Sequence, residues 1–139
     1  MVINISFTAN WLNLRFAKSL KHYDILLQQF NVLRILRGQK GNPATVNMIT
    51  ERMLDKNSNA SRLIDKLKLK ELVERRECPN DRRAVDVLIT DKGLKLLLEI
   101  DKEFVNMEKK MEVLNEDEMK TLNELLDKFR TEVQKSESN

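Results

Sequence analysis

The chain has 139 residues, a length expected of one domain, and its 41% hydrophobic and 34% charged residues fit a soluble, helix-rich fold. No apolar run approaches the ~18 residues needed to cross a bilayer, and the N-terminus lacks the segments of a secretory signal. The single cysteine excludes an internal disulfide and favours a reducing compartment. We therefore expect a cytoplasmic protein that has no membrane partner.

The net charge of +3 is unevenly distributed along the chain. Residues 1–51 carry six Lys/Arg against two Asp/Glu, residues 52–90 carry ten against seven, and residues 91–139 carry nine against thirteen. A basic region of this kind is typical of proteins that bind nucleic acid. Charged residues that only solvate helix surfaces would produce the same asymmetry. The charge alone therefore does not decide between nucleic-acid binding and solvation.

The first part of the chain predicts three helices. Apolar residues recur at helical spacing over 5–22 and again over 25–38, where they occupy more than one side, so the second helix should be buried. Gly41-Asn42-Pro43 then breaks the pattern. Thr45 is placed to cap a short third helix that runs through Leu54.

The next segment predicts a helix with a polar and basic outer face. Asp55 or Asn57 could cap it, and its inner stripe has i, i+3, i+4, i+7 spacing: Ala60, Leu63, Ile64 and Leu67. The outward side chains are of types that suit base edges and phosphates in the major groove of DNA: Lys56, Asn57, Ser58, Asn59, Ser61, Arg62 and Lys66. In isolation, capping and solvation of a helix would explain the Ser and Asn residues better. The short helix before them and the hairpin after them reverse this interpretation, because the three elements stand in the order that a DNA-binding winged helix-turn-helix requires.

Residues 72–90 predict a β-hairpin with arginines at its tip. Pro79-Asn80-Asp81 is a turn signal, and the strand after it alternates apolar and other residues with period two. Arg82 and Arg83 lie at the tip, and Asp81 falls on the same side of an extended strand as Arg83. Its carboxylate could therefore orient the Arg83 guanidinium toward a narrow, A·T-rich minor groove. A solvated turn with an incidental ion pair is the alternative.

Two long helices close the chain. Thr90 is placed to cap a helix over 91–112, and a last helix is predicted over 116–134, with frayed residues at 135–139. Both helices carry more apolar surface than the small unit over 44–90 can cover. The most economical partner is a second copy of the chain, in an interface that also includes the first helix.

These features together resemble the MarR family of bacterial transcription regulators. The resemblance rests on four motifs in the same order and spacing: Asn57-Ser58-Asn59-Ala60-Ser61-Arg62-Leu63-Ile64-Asp65-Lys66-Leu67, Leu72-Val73-Glu74-Arg75-Arg76, Asp81-Arg82-Arg83 and Ile89-Thr90-Asp91-Lys92-Gly93. It implies a mainly α fold with a small β-hairpin wing, in one domain over 1–139. Residues 25–90 would form a winged helix-turn-helix, and residues 1–24 and 91–139 the dimerisation region.

The resemblance also implies a mode of action. A homodimer would bind a pseudo-palindromic operator in double-stranded DNA, with the outward residues of 57–66 in the major groove and Arg83, steadied by Asp81, in the minor groove. One position departs from the family, which usually has a glycine where this chain has Glu71. If the backbone there is left-handed, the side chain costs roughly 1 kcal/mol; otherwise the helix ends differently.

Other chemistry is not supported. One histidine and one cysteine cannot form a His/Cys metal site or a Cys/His nucleophile pair beyond those two residues, and no phosphate-binding loop is present. We therefore expect no enzyme, no cofactor and no metal. Peroxide-sensing relatives carry their cysteine in the first helix, whereas Cys78 lies in the wing, so we do not expect a redox switch.

A ligand-responsive repressor is the function that the pattern favours. Some relatives bind small aromatic acids, and Trp11, Arg15, His22 and Tyr23 could line such an effector site, although ordinary packing would explain each of them. The alternative is a winged-helix module that docks a protein partner through its apolar helices and touches no DNA. Salt-dependent duplex binding would distinguish the two functions.

Overall fold

The computed structural model describes residues 1–78 and 81–138, except for the side chains of residue 78 and residues 81–84. The chain divides into two compact units, residues 1–103 and residues 104–139, which are described separately below. Within the described residues, no helix is both long enough and apolar enough to span a membrane.

The fold is mainly helical with one small sheet, as predicted. A short 3-10 turn, Lys21–Tyr23, follows the first helix. The elements in chain order are α1 (Val2–Leu20), α2 (Leu27–Gly38), β1 (Ala44–Thr45), α3 (Val46–Arg52), α4 (Ala60–Leu69), β2 (Val73–Cys78), β3 (Asp81–Ile89), α5 (Asp91–Lys109) and α6 (Glu116–Glu137).

The sheet has a third strand that the sequence pattern does not reveal. β3 lies in the middle, with β2 on one side and β1 on the other, and both neighbours are antiparallel to it. Ala44 pairs with Val87, and Thr45 pairs with Asp86. Two residues are too few to show a period of two, which is why this strand was not predicted. β1 attaches the start of α3 to the base of the wing.

The core of the first unit forms around α2. Val32, Leu33 and Leu36 of α2 are fully or almost fully buried, which agrees with the predicted burial of this helix. Further buried apolar residues of this core come from α1, α3, α4, β3 and α5: Leu20, Ile49, Ile64, Leu67, Val87, Leu97 and Ile100. Burying such side chains contributes roughly 1.5–3 kcal/mol each. The inner face of α4 is thus fixed while its outer face remains free.

The second unit contains the end of α5 and the whole of α6. Asn115 caps α6: its Oδ1 accepts from the Glu118 amide at 3.0 Å, and Glu118 Oε2 accepts from the Asn115 amide at 2.9 Å. The helix continues to Glu137, so the prediction of fraying from 135 onward was wrong over most of that segment. Large apolar side chains of α6 are exposed in the single chain: Met119, Leu122, Leu125, Phe129 and Val133.

The first helix shows the same excess of apolar surface. α1 begins at Val2, three residues earlier than predicted, and its most N-terminal turns are also regular. The large exposed apolar residues of α1 are Val2, Ile3, Phe7, Trp11 and Leu14, and Leu20 is buried. The predicted surplus of apolar surface on the first and last helices is therefore present in the single chain.

Candidate nucleic-acid interface

The helix-turn-helix is held by three side-chain-to-backbone hydrogen bonds. Thr45 Oγ1 accepts from the Met48 amide at 3.2 Å, which confirms the predicted cap of α3. α3 ends at Arg52, and the amide of Leu54 beyond it donates to Asn31 Oδ1 of α2 at 3.0 Å. In the turn that follows, Asp55 Oδ1 accepts from the Asn57 amide at 3.0 Å. These bonds fix the path by which the chain enters α4.

The cap of α4 is neither of the two predicted residues. The helix begins at Ala60, and Asn59 Oδ1 accepts from the Arg62 amide at 3.0 Å. Asp55 is used in the preceding turn, because an Asp side chain readily bonds to the amide two residues on. Asn59 therefore has a structural role, and its Oδ1 also orients the first turn of the helix.

Most of the predicted contact residues lie on one exposed surface. Asn57 and Asn59 lie before the helix, and Ser61, Arg62 and Lys66 lie on its outer face; all five are exposed. Among the described residues, Arg62 and Lys66 take part in no ion pair. Two unneutralised cations on one exposed helix face form a surface that attracts phosphate.

Two of the predicted residues are placed differently from the rest. Ser58 was expected to face outward, but its hydroxyl oxygen is buried and has no hydrogen-bond partner among the described residues. This is a correction, and its cause is the tight turn over 55–58, in which the Ser58 amide donates to the Asp55 carbonyl. Lys56 is exposed, and its Nζ donates to the Glu51 carbonyl.

A contact between wing and helix was missed by the sequence analysis. Arg75 of β2 forms an ion pair with Asp65 of α4, with Nη2 to Oδ1 at 2.9 Å, and the same nitrogen donates to the Ser61 carbonyl at 3.3 Å. The Arg75 side chain is 26% exposed. Asp65 and Arg75 lie ten positions apart on different elements, so no local spacing indicates the pair.

The backbone between α4 and β2 is left-handed at Glu71. This is the first of the two outcomes expected where the chain has glutamate in place of glycine. Glu71 has φ of 60°, its amide donates to the Lys68 carbonyl, and the Leu72 amide donates to the Leu67 carbonyl. This is the helix ending that glycine normally makes. The Glu71 carboxylate pairs with Lys92 Nζ at 3.0 Å, but both side chains are mostly exposed.

The same junction lies against the start of α5. Thr90 Oγ1 accepts from the Gly93 amide at 3.1 Å, which confirms Thr90 as the predicted cap, and it donates to the Glu71 carbonyl at 2.7 Å. A Cβ at Gly93 would lie 2.4 Å from the Leu72 carbonyl oxygen. The end of α4, the start of β2 and the start of α5 thus meet at one point of close backbone contact.

The wing tip lies at the limit of the described residues. β2 and β3 pair regularly from Val73 opposite Ile89 to Glu77 opposite Val85, and the register then shifts before Cys78, which pairs with Asp81. The backbone of residues 81–83 belongs to β3. The side chains of Asp81, Arg82 and Arg83 lie outside the described part, as do Pro79 and Asn80, so the proposed orientation of Arg83 stays a prediction.

A polar cluster joins the linker after α1 to α5. His22 Nε2 lies 2.9 Å from Glu103 Oε2. This hydrogen bond is the largest influence and, with others from Tyr23 and Ser19, holds the pKa of the Glu103 carboxyl below its ordinary value, although burial acts in the opposite direction. Burial and the Glu103 carboxylate raise the pKa of the Tyr23 hydroxyl. His22 and Tyr23 therefore both contact Glu103 of α5, and Tyr23 also lines a cavity of about 570 Å³.

The other residues considered for an effector site also contact protein groups. The guanidinium of Arg15 lies 4.9 Å from the ring centre of Trp11, one turn away on α1. Among the residues that the structure describes, no group of three or more His, Cys, Asp or Glu side chains could hold a metal ion. The exposed basic surface of α4 is therefore the arrangement with the clearest chemical use.

Comparison with known proteins gives one consistent result. Residues 23–84 match the MarR family model. The HTH-type transcriptional regulator MhqR of Bacillus subtilis is 31% identical over 99 residues, which are 70% of this chain and 67% of that protein.

Solved structures extend the likeness to the flanking helices. A MarR-like transcription regulator from Bacillus cereus is 25% identical, with a TM-score of 0.81 over 93% of this chain and 92% of its own. A complex of S. aureus MepR with DNA contains a chain that is 22% identical, with a TM-score of 0.83 over 94% of this chain and 96% of its own. The latter likeness is one of fold.

Proposed function

Because this chain belongs to the MarR family of DNA-binding transcription regulators, we propose that it is a ligand-responsive repressor that binds a pseudo-palindromic operator as a homodimer. The family consists of transcription regulators and not of enzymes. The observation that carries the proposal is the exposed outer face of α4, where two cations have no ion-pair partner among the described residues while the inner face is locked into the core. We propose that the protein works in the cytoplasm, where its DNA is.

The proposed division of labour on α4 follows from side-chain chemistry. Arg62 can contact O6 and N7 of guanine in a bidentate way, and Asn57 or Asn59 can do the same with adenine. Lys66 lies one turn further along the helix, where a flexible ammonium suits a backbone phosphate. Ser61 is short enough for either role. Lys56 completes the proposed set of contacts before the wing, and the buried Ser58 hydroxyl is left out of it.

The wing supplies the second proposed contact. Arg83 would enter the minor groove beside the major-groove site, with Asp81 orienting its guanidinium and Arg82 binding phosphate. Support comes from the backbone: residues 81–83 are part of β3, the central strand, whose base is anchored to β1 and β2. An arginine on an anchored strand loses less freedom on binding than one on a free loop.

A homodimer would present two copies of α4 and of the wing to DNA. We propose that residues 1–24 and 91–139 form the dimerisation region and that residues 25–90 form the winged helix-turn-helix. The exposed apolar side chains of α1 and α6 support this assignment. Two recognition helices must then lie about one DNA turn apart, ~34 Å, so an effector that changes this spacing would release the operator.

Duplex binding at several salt concentrations tests the proposal. Fluorescence anisotropy should show tight binding to an operator selected from a random duplex library, and the logarithm of the binding constant should fall with the logarithm of salt concentration at about −0.9 per phosphate contact. A winged-helix module that docks only proteins would bind no duplex at any salt concentration, and that result would reject the proposed function.

A further inference from the structure

The outer face of α4 carries an acidic residue that the proposed function does not use. Asp65 is the only acidic residue of this helix, and its side chain is 59% exposed. The phosphates of DNA repel a carboxylate, so an acid on a helix face that binds DNA lowers affinity unless it makes a favourable contact there. The surroundings of Asp65 indicate which contact that is.

Asp65 lies beside the residue that is proposed to bind guanine. Successive residues of an α-helix are rotated by about 100°, so Asp65, three positions after Arg62, lies about 60° from it around the helix axis. Both side chains are exposed, whereas the buried residues of the helix are Ala60, Ile64 and Leu67. A helix that places Arg62 in the major groove therefore brings Asp65 close to the neighbouring base pairs.

The ion pair with Arg75 reduces the repulsion between this carboxylate and DNA. Asp65 Oδ1 lies 2.9 Å from Arg75 Nη2, and the same nitrogen donates to the Ser61 carbonyl at 3.3 Å. A carboxylate three positions along a helix could also pair with Arg62. Among the described residues, however, Arg62 forms no ion pair. Arg75 thus neutralises the acid and leaves Arg62 available for DNA.

The carboxylate can still accept another hydrogen bond. Among the described residues, Arg75 is the one ion-pair partner of Asp65, and its closest contact is with Oδ1. An exposed, ionised carboxylate accepts several hydrogen bonds and donates none. The donors in the major groove are N4 of cytosine and N6 of adenine, and adenine also presents the N7 acceptor, which repels a carboxylate. Cytosine is therefore the base that fits Asp65.

We propose that Asp65 is a specificity-determining residue that accepts a hydrogen bond from N4 of a cytosine in each operator half-site. Arg62 binds a guanine in the same half-site, and Arg75 holds the carboxylate in position. This inference rests on the proposed function, because it requires α4 to enter the major groove. The selected operator should then prefer cytosine at one position of each half-site by about tenfold over the other bases.

Base-by-base substitution of the selected operator tests this assignment. Competition anisotropy compares the wild type with Asp65→Asn on duplexes in which each base pair of the half-site is replaced in turn. The variant keeps the size of the side chain and gains an amide that can pair with N6 and N7 of adenine. Its preference should therefore move from cytosine toward adenine at that one position. Unchanged preference at every position would overturn the proposal.

Two control variants separate base contact from charge and from structure. Glu51→Gln removes an exposed carboxylate of α3 that forms no ion pair among the described residues, so it should change binding to all duplexes by the same factor. Arg75→Met breaks the same ion pair but keeps the carboxylate, so it should weaken binding and still prefer cytosine. If either control shifts toward adenine as Asp65→Asn does, the proposal is wrong.

Removal of the donor from the DNA gives an independent measurement. N4-methylcytosine still pairs with guanine, but its methyl group replaces the hydrogen of N4 that faces the major groove. At the preferred position it should weaken binding of the wild type about tenfold and leave Asp65→Ala unchanged, since that variant has no contact to lose. Equal losses for the two proteins would reject the contact.

The outcomes also separate this inference from the proposed function. If the protein binds no duplex, the proposed function fails and the role of Asp65 fails with it. If the protein binds its operator selectively and Asp65→Asn has the base preference of the wild type, the proposed function stands. Asp65 would then serve only to hold Arg75, and this inference would be wrong.

Discussion

At the scale of single residues, Arg62 and Lys66 separate sequence reading from phosphate binding on α4. Arg62→Ala should weaken binding to the preferred operator by ~1–3 kcal/mol and reduce discrimination against other sequences, because a bidentate base contact is lost. Lys66→Ala should weaken all duplexes alike. Competition anisotropy with operator and scrambled duplexes measures both effects. If Arg62→Ala discriminates as well as the wild type, α4 does not read the bases through Arg62.

Glu71 permits a prediction about stability. Its φ of 60° places a side chain in the left-handed region. Glu71→Gly should therefore raise the free energy of unfolding by up to about 1 kcal/mol, as measured by urea denaturation. Glu71→Gln is the matched control: it keeps the strained Cβ and removes the ion pair with Lys92. That pair is exposed, so the control should differ from the wild type by less than ~0.5 kcal/mol. A destabilised glycine variant would show that the helix end is not strained.

At the scale of elements, Arg75 couples the wing strand β2 to α4. Arg75→Met should lower the free energy of unfolding by ~1 kcal/mol, because the bonds to Asp65 and the Ser61 carbonyl are lost. It should also weaken operator binding, since wing and recognition helix would lose their fixed relation. Arg76→Met is the control, because Arg76 is 65% exposed and pairs with Glu74 within its own strand. If Arg75→Met and Arg76→Met change stability and operator affinity equally, the Arg75 contacts with α4 do not couple the wing to that helix.

The wing tip carries the second prediction at this scale. Arg83→Ala should reduce affinity most for operators with A·T-rich flanks, because their narrow minor groove attracts an inserted arginine. Asp81→Ala should cause a milder form of the same defect, since it only orients Arg83. The measurement is the affinity of each variant for operators that differ only in their flanks. Equal losses on G·C-rich flanks would reduce the wing to a phosphate contact.

The elements also show what sequence reasoning can reach. The long helices were predictable, because apolar residues repeat at helical spacing over several turns. β1 was not, since two residues carry no period. The cap of α4 at Asn59 was missed because three neighbouring Asp and Asn residues compete locally, and only the three-dimensional turn selects one. The Arg75–Asp65 pair joins separate elements, so it depends on tertiary packing that no local pattern encodes.

At the scale of the whole molecule, the apolar faces of α1 and α6 predict a constitutive dimer. Sedimentation equilibrium at micromolar concentration should show twice the chain mass. Leu122→Glu, at an exposed position on the apolar stripe of α6, should shift the equilibrium toward monomer and weaken operator binding. Thr131→Glu adds a charge to the same helix outside that stripe and should remain dimeric. A monomeric wild type would contradict the dimer and the spacing mechanism together.

Glu71 and Gly93, both near the α4–β2 junction, differ in how readily their positions accept other amino acids. At position 71 the backbone has a positive φ, which favours glycine without requiring it. Another residue is therefore accepted there at a modest loss of stability. At Gly93 the demand is spatial, because any Cβ would lie 2.4 Å from the Leu72 carbonyl oxygen. A saturation library should therefore return many amino acids at position 71 and almost none but glycine at position 93. Evolution can tune the first position step by step, whereas the second can change only if the surrounding backbone moves with it.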